Sequence, residues 1–243
     1  FFPDPPGGTE IYVDALCRAL RADAVDCVVA APAERSTRDV VDGLDVRRFE
    51  RAGTTATLET LYGAGDPVAS ASFARVLDDV RPDVVHQHAL SPACSADLVT
   101  IAHERGVPVV FTYHTPAVSC QRSTLLRMGT EPCDGVLDRA RCTACVLDDL
   151  GLNGAVRSIA GAVPVGVGRA LGRRGFGGGV WTAARMPELM DRRLQATARL
   201  FAHVDCFVSL SPWVTRVLRS NDVPAERIVA SPHGIATPPM PAP

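Results

Sequence analysis

The sequence predicts an α/β fold, an open parallel sheet with helices on both faces, and three observations carry that reading. Short apolar runs of buried-strand type at 26–31, 84–86, 107–113 and 204–210 alternate with stretches of helical periodicity at 9–22, 70–80, 91–104 and 183–203. Two of the helices are announced by Ser91-Pro92 and Ser211-Pro212, where serine can cap and proline can take the first helical position. A chain of 243 residues, 47% hydrophobic and 21% charged, is long and apolar enough to bury one sizeable core.

Each element has its own justification. Ile11, Val13, Leu16, Ala19 and Leu20 recur at helical spacing, and the strand at 26–31 follows. Residues 44–49 alternate as a half-exposed strand, 70–80 read as a helix, and Pro82-Asp83 opens the strand at 84–86. The next helix closes at Gly106 before the strand at 107–113. From 114 to 151 periodicity is lost among Cys, Gly, Thr and Arg, and 152–180 hold glycine at short intervals, suited to weak helices or a lid. Residues 114–180 therefore form a cysteine-rich and glycine-rich excursion from the sheet. A long amphipathic helix at 183–203, a strand at 204–210, a helix to 220 and a strand at 227–231 complete the domain, 1–237. Four prolines in 238–243 mark a linker.

Composition narrows the function classes. The net charge is −2, all basic residues are arginine, and no basic aromatic stripe exists, so a nucleic-acid partner is not expected. No run of about 18 apolar residues is present, and the start Phe1-Phe2-Pro3 lacks the form of a signal peptide. Of eight cysteines, Cys17, Cys27, Cys94 and Cys206 stand singly in apolar surroundings as core residues. That is not a secreted disulfide framework, and a cytoplasmic setting is expected.

Four motifs could carry chemistry. Pro5-Pro6-Gly7-Gly8-Thr9-Glu10 is a glycine loop leading into a helix, where backbone N–H groups and the helix dipole suit a diphosphate; on spacing alone a tight turn before a capping Thr9 is the commoner reading. His86, His88 and His114-Thr115 end two central strands, the edge at which parallel sheets bind ligands, though a strand end with one histidine buried and one solvated is the simpler reading. Cys120, Cys133, Cys142 and Cys145, spaced C-x12-C-x8-C-x2-C, suit a structural zinc site, with two disulfides or an iron–sulfur cluster as rivals. Arginines in and after the excursion, Arg122 among them, could face a phosphorylated or lipid-linked acceptor, and 155–171 could lie on a membrane surface.

The order Pro5-x-Gly7-Gly8-x-Glu10, Pro82-Asp83-Val84-Val85-His86-x-His88, Thr112-x-His114-Thr115 and Ser231-Pro232-His233-Gly234-Ile235 resembles subfamily 4-like glycosyltransferases over nearly the whole chain. That resemblance implies the N-terminal, acceptor-side half of a GT-B fold, two Rossmann-like domains facing across a cleft. It implies retaining transfer of a hexosyl-type sugar from a nucleotide-diphosphate sugar to a glycan or lipid-linked acceptor, without a catalytic metal. By matching position, Gly7, Gly8, Thr9 and Glu10 would meet the donor, His114 would lie beside the donor sugar as the catalytic residue, and His86, His88, Thr115 and Arg122 would line the acceptor side. Ser209–Ser211 resembles the step before the interdomain crossing, where His233 replaces the family's asparagine. It also implies a strand ahead of Phe1 and a partner Rossmann domain after Pro243 carrying the Glu-x7-Glu motif, so that the chain alone is expected to be inactive. Peripheral contact with the inner membrane face is a further expectation. Two other readings stay open, a non-catalytic metal-stabilised binding module and a GT-B sugar-nucleotide epimerase.

Overall fold

A computed structural model describes residues 7–53 and 57–234. Pro5 and Pro6 of the glycine loop, Ile235 of the closing motif and the linker at 238–243 lie outside the described residues.

The strands form two main sheets. Strands β1 (Val28–Ala33), β2 (Thr37–Val41) and β3 (Leu44–Glu50) are ordered β1-β3-β2, with β1 and β3 parallel and β2 antiparallel to β3. Strands β4 (Val85–Gln87) and β5 (Val109–Tyr113) join β8 (Cys206–Ser209) and β9 (Ile228–Ala230) in a wholly parallel sheet ordered β4-β5-β8-β9. A two-stranded hairpin of β6 (Leu126–Arg127) and β7 (Glu131–Pro132) lies in the excursion. The architecture is Rossmann-like, as expected, but the sheet is split, and β2 is a strand that its charged, exposed sequence did not announce.

Helices cover the sheets. Helix α1 (Gly8–Ala22) packs Cys17 against Val29, Ala31, Leu44 and Val46 of the small sheet. Helices α2 (Pro67–Val80), α3 (Ala96–Glu104) and the C-terminal half of α7 (Gly179–His203) bury Phe73, Val99, Leu200 and Phe201 against Phe111 and Phe207 of the parallel sheet. Helix α8 (Pro212–Arg219) adds Val214 and Leu218, and its start is as expected, Ser211 Oγ accepting from Val214 N–H. The start of α3 is not: Ser91-Pro92 forms a turn in which Ser91 Oγ accepts from Cys94 N–H, and the helix begins four residues later under Ser95. Both serines can cap, and the second lies directly before the helical run.

The excursion holds more regular structure than its sequence suggests. Helices α4 (Arg139–Asp149), α5 (Gly154–Gly161) and α6 (Val165–Arg173) pack on the N-terminal half of α7, where Tyr62, Val146, Leu147, Ala160, Met186, Leu189 and Met190 form a second core. The glycines of α6 weaken it as an isolated helix but let it approach α7. A Cβ on Gly168 would stand 2.8 Å from Glu188 Cβ, and one on Gly172 would stand 2.7 Å from Arg185 Nη2. Tertiary packing therefore compensates for poor propensity.

Beneath α6 lies a buried ion network. Glu188, 2% exposed, accepts from Arg192 Nη2 at 2.8 Å and Arg185 Nη2 at 3.3 Å, and Arg185, 3% exposed, also pairs with Glu59. Removing one charge strands the others in a medium that solvates them poorly. Glu188→Ala is therefore expected to destabilise the fold by about 3–5 kcal/mol in urea denaturation, whereas Arg185→Met with Glu188→Leu together should cost less than the single change; equal stability of Glu188→Ala and the parent would contradict this account.

Candidate functional site

The carboxyl ends of β4 and β5 carry the histidines. Parallel pairing sets His86 opposite Val110 and Gln87 opposite Phe111, so that His88, next in line, and His114, two residues past Thr112, emerge in the loops at the same carboxyl edge. Gln87, buried, turns the other way and donates to the carbonyls of Ala89 and Cys94, fixing the loop after β4. His86 Nε2 lies 2.7 Å from Thr112 Oγ1, the rings of His86 and His88 lie 3.9 Å apart, and His88 Nδ1 lies 3.2 Å from His114 Nε2. His233, in the loop after β9, stacks on His114 at 5.6 Å.

Tyr12 joins this cluster from above. Its ring contacts His88 at 5.6 Å, His114 at 5.0 Å and His233 at 4.9 Å. Tyr12 is four residues after Gly8 and so shares its face of α1, roughly 6 Å further along the axis. The first turn of α1 thus stands over the histidine edge. The N–H groups of Gly8, Thr9 and Glu10 precede the first intrahelical bond, Ile11 N–H to the Gly7 carbonyl at 3.0 Å, and the dipole's positive end adds to their pull on an anion. Thr9 lies inside the helix and does not cap it; Gly7 holds the cap position without a side-chain bond. The Glu10 carboxylate folds back to this end, so close that a Cβ on Gly7 would lie 2.6 Å from Glu10 Oε2, while a Cβ on Gly8 would meet open space.

Burial makes the cluster neutral. It pushes His86 and His114 down to about 4, and His88, also facing His86 and His114, to about 2. At pH 7 these rings exchange hydrogen bonds but carry no charge, which suits them to hold sugar hydroxyls. The His88–His114 bond needs one nitrogen protonated and the other bare, so the two tautomers are linked.

The remaining expected residues fall elsewhere. Thr115 is exposed just past His114, where it precedes a short turn at Pro116–Val118. Arg122 does not reach the cluster: it turns to the end of α4, pairing with Asp149 at 2.9 Å and donating to the Cys145 carbonyl at 3.3 Å. The expected zinc site is not assembled. Among the described residues no group of three or more His, Cys, Asp or Glu is placed to hold a metal, which also sets aside a His86, His88 and His114 site, and all eight cysteines are free thiols. The reason lies in α4, which takes up the Cys142-x-x-Cys145 segment as helix rather than as a knuckle turn. Cys145 Sγ accepts from Met128 N–H at 3.4 Å, and Cys133 Sγ from Gly135 N–H at 3.5 Å. Burial raises the Cys142 thiol above its ordinary value, against a backbone hydrogen bond at Asp138, and Cys133, Cys120 and Cys145 add to the rise. Sequence reasoning gave no site role to Tyr12, Thr112 or His233; the i, i+4 spacing from Gly8 was the available signal for Tyr12.

Histidines held neutral by the fold create a pH dependence. The unfolded chain takes up protons first as pH falls through about 6.5, so their stabilising effect is complete above that pH and is lost as pH falls toward the folded values. Each contributes at most about 1.4 kcal/mol per pH unit. His88→Asn is expected to flatten the fall in melting temperature between pH 6.5 and 5; a slope equal to that of the parent would show that these rings are not buried neutral.

No curated protein sequence matches the chain. A family model described as "Glycosyl transferase 4-like domain" matches residues 7–234. With that match spanning both the glycine loop and the His233 segment, the chain belongs to the glycosyl transferase 4-like domain family.

Proposed function

We propose that this domain forms the acceptor-side half of a retaining glycosyltransferase that moves a hexosyl group from a nucleotide-diphosphate sugar to an acceptor hydroxyl on a glycan or lipid-linked molecule. The observation that carries this reading is the first turn of α1 standing over neutral His88 and His114, with Tyr12 between them. Free N–H groups at a helix start are where a diphosphate leaving group would be held, and a hydrogen-bonding but uncharged edge beneath is where the sugar it leaves would lie. Glu10 then swings off the helix start as the diphosphate arrives, since two anions cannot share it. His114 orients the sugar by hydrogen bonding, positioned by His88, His233 and Tyr12, and a second Rossmann-like domain supplies the rest of the donor site. An epimerase would call for paired carboxylates, and the ring cluster at this edge is made of histidine, tyrosine and threonine.

A lipid-linked acceptor is supported by the far face of the excursion. Val156, Ile159, Val167, Val180 and Trp181 are exposed there. Of the five arginines between 150 and 187, Arg185 is buried and Arg157 and Arg169 pair with Asp148 and Asp191, while Arg173 and Arg174 are exposed and add positive charge. An anionic membrane surface fits both the apolar side chains and the charge. Among the described residues no helix is long and apolar enough to cross a membrane.

His114→Ala in the full-length enzyme is expected to lower turnover roughly 100-fold while the melting temperature stays near that of the parent; unchanged turnover would remove His114 from the mechanism. Ile159→Asp with Val180→Asp is expected to abolish sedimentation with phosphatidylglycerol vesicles, and sedimentation equal to that of the parent would contradict membrane docking.

A further inference from the structure

Arg193 is a half-buried cation that pairs with no acid among the described residues. Its neighbours on α7 all have one: Arg185 pairs with Glu59 and Glu188, Arg192 with Glu188, and Arg199 with Asp97. Arg193 Nη2 instead donates to the carbonyls of Ala117 and Val118, the latter at 3.4 Å, and among the described residues its Nε and Nη1 have no acceptor. Burial pulls its guanidinium below the ordinary arginine value, against the pull of Cys120 and Tyr113. Holding a cation this way is costly unless an anion completes it.

A cavity of about 150 Å³ opens beside it, lined by Ser91, Ser95, Gln121, Ser123 and Thr197 and by no aspartate or glutamate. That is room for several waters and for one tetrahedral anionic group. Its walls continue from the histidine edge: Ser91 is three residues past His88, and Ala117, another wall residue, is three past His114. The Arg193 guanidinium fork, the Ser91 and Ser95 hydroxyls, whose oxygens accept from Cys94 and Asp97 N–H, and the second N–H of the Gln121 amide are donors that match phosphate oxygens, while the Thr197 hydroxyl donates to the Arg193 carbonyl.

We propose that this cavity is a phosphate subsite, in which Arg193 and the hydroxyls around it hold a phosphate group of the acceptor next to the transfer site. The word acceptor rests on the proposed transferase function; the binding of phosphate does not, and can be measured without any turnover.

The test is thermal melting of the whole chain with inorganic phosphate against sodium chloride at matched ionic strength. The parent is expected to show a saturable rise in melting temperature. Arg193→Met should lose more than half of that rise, and its melting temperature without phosphate should not fall below the parent's, because removing an uncompensated cation relieves its desolvation. No rise in the parent beyond the chloride control, or the full rise in Arg193→Met, overturns the proposal. Should Arg193→Met fail to fold, Arg193→Lys keeps the charge without the fork and is expected to weaken phosphate at least fivefold; an unchanged phosphate affinity overturns it. Monomeric dihexanoyl phosphatidic acid and glucose 1-phosphate, each competed against phosphate, separate a lipid-linked from a soluble acceptor. Competition by either supports the subsite, and competition by neither overturns it. Unchanged turnover in His114→Ala with phosphate binding intact counts against the transferase reading alone, and lost turnover in His114→Ala with no phosphate binding by the parent counts against the subsite alone.

Discussion

The parallel register of β4 on β5 is the constraint on which the site depends. Hydrogen bonding of residues 85–87 against 109–111 brings two loops to the same edge, one beginning with His88 and the other with His114. A slip of one residue would turn each side chain to the opposite face, replacing His86 by Gln87 beneath Thr112 and breaking the His88–His114 bond. The register is fixed from below by burial, since Val109, Phe111 and Tyr113 alternate into the core and Phe111 packs against Phe207 of β8. Core packing thereby sets the positions of the polar groups at the edge.

Helix α7 links this edge to the excursion. Its 25 residues span roughly 38 Å, with one end in the core of the parallel sheet and the other in the second core beneath α4, α5 and α6. Arg193 falls between the two cores, at the point where the loop after β5 passes over the helix. The excursion is thus a packed helical subdomain whose base borders the cleft and whose outer face is apolar and basic. A group presented at a membrane and a phosphate held near Arg193 would lie on one continuous path to His114.

The sequence made the strands and most helices legible because buried runs and capping serines leave local marks. Ser211-Pro212 was read correctly, and Ser91-Pro92 was read four residues early because Ser95 caps as well as Ser91 and no local signal ranks them. Helix α6 was obscured by Gly168 and Gly172, which make room for Glu188 and Arg185 of α7, 20 and 13 residues further along the chain. At the site, His86, His88 and His114 were found by their place at strand ends. Tyr12 and His233 were not given roles, because their contacts cross from α1 and from the loop after β9; the spacing of Tyr12 from Gly8 marks only a shared helix face, and no short spacing encodes His233. Cysteine spacing suggested a knuckle, and Arg122 suggested an acceptor contact, but α4 draws both into its own packing.

The central claim is that a nucleotide-diphosphate sugar is held between the first turn of α1 and the histidine edge. A crystal structure of the enzyme bound to its donor tests this most directly. The account predicts the diphosphate within hydrogen-bond distance of the Gly8 N–H, Glu10 displaced from Gly7, and the sugar against His114. A donor bound without contact to Gly8 or His114, with Glu10 still folded over Gly7, would contradict it.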